Sequence, residues 1–210
     1  FRICVVGLAL VLTGCSVDQQ RNAAVAQLEF TWKAENDKTF AKNGHRVFPV
    51  PKRQAFAAAQ ATARKFGMIV ERQDYATGFL FVTAPGPLPL SQKEWREVQK
   101  QDTGKLRDIV RPHMGLILTS LASLDAADND VLTNIFITST KSGSKVAVGI
   151  GLRERSSATG LIPRTQAPPT AVRLGLAKFW KIFSEELKTA SVNIETEHKI
   201  APLKKPVAPS

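Results

Sequence analysis

Apolar positions recur along this chain in three rhythms, and each rhythm predicts an element. From Ile3 to Leu12 apolar and small residues follow one another without a charge. Residues 16–27 (SVDQQRNAAVAQ) are mostly polar or small and read as a short tether, after which Leu28, Phe30 and Trp32 alternate with polar neighbours. A period of two is the mark of a half-buried strand, so a strand is expected over 28–33. The Asn43-Gly44 turn signal precedes a short strand at His45–Val50, limited by Pro49 and Pro51.

The next rhythm is helical. Phe56, Ala59, Ala63 and Phe66 recur at three- and four-residue spacing, with Pro51 suited to the first turn and Gly67 to the position after the last. Met68–Gln73 and Gly78–Ala84 then read as two strands of a hairpin, and residues 85–90 (PGPLPL) as a rigid loop. Ser91 followed by Glu94 is a capping-box pattern and predicts a helix over Gln92–Gln101. Residues 102–127 leave two readings open: a helix interrupted at Pro112 and Gly115, or a strand over Gly115–Leu124.

Val131–Thr140 and Lys145–Arg153 alternate well and form a second expected hairpin around residues 141–144. Residues 154–169 show no period and read as a long loop. Thr170 suits an N-cap, and Val172, Leu176, Phe179, Phe183 and Leu187 then define a long amphipathic helix. Beyond Ser191 the chain carries Pro202, Pro206 and Pro209 and few apolar anchors, so a disordered tail is expected over 191–210. The sum is an α+β domain over 28–190: an antiparallel sheet of four to six strands with helices on one face, including the long C-terminal helix. On element order alone this resembles the helix-grip arrangement of some envelope lipoproteins.

The first residues change the picture from fold to location. Arg2, an apolar run of about ten residues and then small residues follow the order of a secretory signal, and the run is too short for a bilayer span of roughly 20 residues. Leu12-Thr13-Gly14-Cys15 resembles the bacterial lipobox at all four positions. The resemblance implies a signal peptide over 1–14 and a Cys15 diacylated on sulfur. It also implies acylation of the new amino terminus, with residues 15–27 as lipidated cysteine and tether. Ser16, where an Asp would favour retention, implies sorting to the outer membrane, facing the periplasm. The sequence has two cysteines, Cys4 and Cys15. Loss of Cys4 with the leader would leave one, which excludes an internal disulfide and fits a thiol that carries lipid.

Composition adds a basic bias. The net charge is +11. Between Lys33 and Arg72 there are nine basic residues (Lys33, Lys38, Lys42, Arg46, Lys52, Arg53, Arg64, Lys65, Arg72) against three acidic ones (Glu35, Asp37, Glu71). Close to an anchor, such an excess suits anionic lipid, at about 1 kcal/mol per charge near the surface. No basic-aromatic recognition pattern points to nucleic acid.

Chemistry is sparse. His45, His113 and His198 lack metal-ligand spacing, and Asp125, Asp128, Asn129 and Asp130 lack the alternation and glycine of a calcium loop. Ser142-Gly143-Ser144-Lys145 matches the S-x-x-K spacing of penicillin-interacting enzymes, but within a hairpin turn and without the companion motifs. No nucleophile elbow, phosphate loop or dinucleotide fingerprint is present. The expectation is a protein that is not an enzyme and takes no cofactor and no metal. It is a module that binds an envelope protein partner or helps assemble or maintain a complex. Arg153, Arg155 and Arg164 make the 154–169 loop basic and nominate it as the partner-binding loop. The alternative is a lipid or small-molecule site between sheet and last helix, walled by Phe79, Phe81, Phe136, Phe179, Trp180 and Phe183.

Overall fold

In a computed structural model the backbone is described for residues 3–155 and 162–200, and side chains for 17–155 and 162–189. The order is α1 (Ile3–Asn43), β1 (His45–Phe48), α2 (Lys52–Lys65), β2 (Ile69–Asp74), β3 (Phe79–Pro85), α3 (Gln92–Leu121), β4 (Asn129–Thr140), β5 (Gly143–Glu154) and α4 (Pro169–Ile200). The strands form a five-stranded sheet in the order β1-β5-β4-β3-β2, antiparallel throughout. The fold is α+β.

Period-two strands and the α2 and α4 stripes build the main core. Leu80, Val82 and Ala84 of β3 lie opposite Ile135, Thr133 and Val131 of β4, which lie opposite Val148, Ile150 and Leu152 of β5. Onto this face α2 brings Ala55, Phe56, Ala59 and Ala63, and α4 brings Val172, Leu176, Phe179, Trp180, Phe183 and Leu187. The small side chains of α2 let its backbone approach the sheet. Gly175 does the same for α4, where an added Cβ would meet Ile150 Cδ1 at 3.3 Å. The Ser91 capping box forms: Glu94 N donates to Ser91 Oγ at 3.2 Å, and Ser91 N donates to Glu94 Oε2 at 2.6 Å.

The N-terminal expectation is corrected. Residues 16–27 and 28–33, read as tether and strand, belong to the 41-residue helix α1. Ala24, Leu28 and Trp32 stand four residues apart and bury against Val98, Leu106, Val110 and Met114 of α3 in a second core. Phe30, the middle member of the apparent alternation, is left 73% exposed. The period is four, and the packing partner that decides it lies some 70 residues downstream.

The open question at 102–127 also resolves. Helix continues from Gln92 to Met114, breaks at Gly115 (φ 68°, ψ 175°) and resumes to Leu121. The strand alternative over 115–124 does not form. After the break the chain doubles back along α3: Arg107 donates through Nε to Ala122 O (3.1 Å) and through Nη2 to Ser120 O (3.1 Å). Gln99 Nε2 and Trp95 Nε1 both donate to Leu124 O, at 2.7 and 3.3 Å. At the other end α4 runs to Ile200, past the point where the tail was expected to begin, and positions 201–210 lie outside the described residues. Residues 156–161 of the long loop also lie outside them.

Candidate functional site

The same alternation that builds the core leaves a second set of side chains on the opposite face of the sheet. Register gives three rows. Phe79, Phe136 and Ala147 lie side by side with His45 at the β1 edge. Phe81, Asn134 and Gly149 form the next row, with Arg72 at the β2 edge. Thr83, Leu132 and Gly151 form the third, with Ile69 at its edge. Helices α2 and α4 pack on the other side of the sheet. Phe136, Val47 and Ile69 accordingly expose about half or more of their surface, at 49%, 52% and 64%.

This face has a defined chemistry. The Phe79 and Phe136 rings meet at 5.1 Å, and the Arg72 guanidinium sits 5.7 Å over the Phe81 ring. Ala147, Gly149 and Gly151 make β5 low beside them, so the aromatic row borders a shallow trough. A charged cluster closes one end. Asp130 accepts from Arg155 Nε at 2.7 Å and from Arg153 Nη2 at 3.2 Å, and Arg153 also lies 3.8 Å from Glu71. Glu71 in turn accepts from Thr83 Oγ1 at 2.7 Å. Desolvation works against the Asp130 carboxylate, but the two guanidinium groups outweigh it and hold its pKa below the ordinary value.

Two of the three arginines nominated from the sequence therefore meet, around one aspartate at the rim of the open face. The third does not join them. Arg164 is 5% exposed, and its guanidinium donates to Ser123 O (3.0 Å) and Asp125 O (3.4 Å). Burial lowers its pKa, opposed by the carboxylates of Asp128, Glu154, Asp125 and Glu29, and a guanidinium remains charged under such conditions. Arg164 ties the long loop to the segment after α3. Glu29 of α1 assists by accepting from Thr165 N at 2.6 Å, and Asn36 by donating to Ala167 O at 2.9 Å. The described end of this loop is pinned to the domain.

No protein-family model and no curated protein matches this chain. The geometry of its own residues thus carries the functional reading.

The cavity expectation splits along the sheet. Phe179, Trp180 and Phe183 are buried in the core beneath α4, whereas Phe79, Phe81 and Phe136 stand on the far side of the sheet. The six residues do not line one site. The partly open space between sheet, α4 and the Pro87–Leu90 loop amounts to about 30 Å³. That is room for about two waters, against roughly 300 Å³ or more for a ligand pocket.

The basic block from Lys33 to Arg72 does not gather into one patch. Lys33 pairs with Asp37 at 2.6 Å, Lys65 with Glu186 at 3.1 Å, and Arg46 lies 5.0 Å over the Trp180 ring. Among the described residues no group of three or more His, Cys, Asp or Glu is placed to hold a metal ion. Ser142 and Lys145 fall at the β4–β5 turn, with Lys145 exposed beside Val47. The side chains of Leu12 to Cys15 lie outside the described ones. The signal that exposed the open face lay in the strand patterns themselves. Phe79, Phe81, Leu132 and Phe136 occupy positions that a one-sided sheet gives to polar residues.

Proposed function

We propose that this protein is a bacterial envelope lipoprotein, acylated at Cys15 and facing the periplasm. It holds a non-catalytic module that binds a protein partner through the open face of its sheet. The observation that carries the reading is the aromatic, uncovered face: three phenylalanines side by side, next to a low glycine strand, with an Asp130-centred charge cluster at the rim. Apolar side chains grouped on one face, with Phe136, Val47 and Ile69 about half exposed or more, suit a surface on which something docks. The lipobox residues Leu12 to Cys15 supply the anchor, and two or three acyl chains make attachment stable where one is marginal. Ser16 favours the outer membrane. From Cys15 to Asn22, α1 would form a short lead of about 12 Å between the anchor and the part of the helix that packs on α3. No helix among the described residues is long and apolar enough to cross a membrane.

Two measurements test this. Labelled palmitate should enter the wild-type chain and not Cys15→Ala, and an unmodified mass with the leader still attached would overturn the anchor. A photo-crosslinking residue at Phe136 should give a discrete adduct in intact envelopes. One at Lys181, on the outer surface of α4, should not. Equal yields at both positions would remove the open face as the docking surface. A lipid-binding cavity is not favoured, since the pocket between sheet, α4 and the Pro87–Leu90 loop has room for about two waters and not for an acyl chain.

A further inference from the structure

The turn of α3 presents a second exposed apolar feature, at the far end of the molecule from the α1–β1 junction. Gly115 has open space around it, so its positive φ, and not crowding, is what requires glycine there. The reversal it creates leaves Leu116, Ile117 and Leu121 exposed by 74%, 81% and 65%, while Met114 and Thr119 turn inward. Three large aliphatic side chains at one helical apex are too many for ordinary surface scatter.

The direction of the helices tells what this apex faces. Glu35 of α1 lies 3.7 Å from Lys105 of α3. Further along α1, the Asn43 carbonyl accepts from Trp180 of α4, and Lys178 of α4 meets Glu94 of α3 at 2.7 Å. As α1 rises from Glu35 to Asn43, α3 falls from Lys105 to Glu94, so the two run antiparallel. Ten further residues of α3 carry the chain about 15 Å from Lys105 to Gly115, towards the start of α1 and about level with Val25. Cys15 lies ten residues beyond Val25. That segment spans about 15 Å as helix and no more than about 33 Å fully extended. Val17 to Gln20 are all exposed.

Charge adds a smaller argument. Lys105 lies 3.7 Å from Glu35 and 3.8 Å from Asp102, and Arg111 meets Asp108 at 2.6 Å, while the Arg107 guanidinium donates to the backbone carbonyls of Ser120 and Ala122 and keeps a cation beside the apex. An aliphatic tip next to such a cation fits the boundary of an anionic bilayer, where side chains of this kind enter the headgroup region.

We propose that the Leu116–Ile117–Leu121 apex is a second membrane contact: it dips into the leaflet that holds the acylated Cys15 and so tilts the domain onto the surface. The inference rests on the anchor proposed above, and the test separates the two. Full-length Ile117→Cys is expressed in a bacterial host, purified from the envelope and weighed. Acylation at Cys15 with loss of the leader leaves position 117 as the sole free thiol. That thiol takes an environment-sensitive dye, and the protein is reconstituted into phosphatidylethanolamine–phosphatidylglycerol vesicles.

Blue-shifted emission and quenching by brominated lipid are expected at 117, and neither at Lys145→Cys on the β4–β5 turn. An acylated chain whose 117 probe stays in water overturns the apex and keeps the anchor. An unacylated mass overturns the anchor. In that case the probe, read after adding vesicles to Cys4→Ser/Cys15→Ser/Ile117→Cys, still decides the apex by the same shift. A shift that appears without lipid and grows with protein concentration assigns the apex to a second copy and overturns the membrane contact.

Discussion

The two faces of the sheet are made by the same strands and both carry large apolar side chains, yet these have opposite fates. On one face Leu80, Ile135, Ile137, Val146 and Val148 meet α2 and α4 and are almost wholly excluded from water. On the other, Phe79 and Phe136 pack on each other, and among the described residues neither they nor Phe81 and Leu132 belong to the core that α2 and α4 cover. The lesson is that hydrophobicity at a position does not report burial; the presence of a partner element does. The covered face stabilises the fold, and the open one is free to stabilise a complex.

That contrast can be broken by substitution. Phe183→Ala, at the buried centre of the α4 contact, is expected to cost about 3–5 kcal/mol in chemical denaturation, because a cavity forms where collapse is resisted. Arg164→Ala comes next, at about 1–3 kcal/mol, since two backbone carbonyls lose their charged donor and the long loop loses its tie. A loss below that of a surface change would show that the loop is held by Glu29 and Asn36 alone. Arg153→Ala at the rim should cost only about 0–1 kcal/mol, as partly exposed ion pairs do. Phe136→Ser should cost about 1 kcal/mol, the loss of its pairing with Phe79, while abolishing the envelope crosslink of a photo-crosslinking residue placed at Val47 on the same face, and a loss as large as that of Phe183→Ala would place Phe136 in the core.

The pH dependence sharpens the same division. The folded Asp130 pKa lies below its ordinary value of 3.8, so its stabilising effect is complete above that value and is lost as pH falls through the depressed one. Denaturation midpoints compared at about pH 6 and about pH 3 should therefore fall less in Asp130→Asn than in the wild type. An identical fall would mean that the Arg153 and Arg155 pairings do not distinguish folded from unfolded chain.

Most of the sheet was legible because local pattern and tertiary environment agree there. The two hairpins, α2 and the Ser91 cap each follow from spacings within a dozen residues. The segment 28–33 was misread because Leu28, Phe30 and Trp32 satisfy a period of two and Leu28 and Trp32 also satisfy a period of four. Only Val98, Leu106 and Val110 of α3 choose between them. The arginines show the same limit at the candidate site. Arg153, Arg155 and Arg164 look alike in sequence, and the fold turns two to the rim around Asp130 and drives the third inward among backbone carbonyls.

Sequence alone determined the strand and helix content of residues 45–101 and 129–189, the reversals at the turns, and the likeness of Leu12 to Cys15 to a lipobox. These depend on backbone preferences and on spacings that neighbouring residues share. Tertiary structure decided which apolar residues are covered, which cations are spent, and that α1 and α3 pack as antiparallel helices. Each of those outcomes depends on a contact between segments distant in the chain, and the free energy of such a contact is written in neither segment by itself.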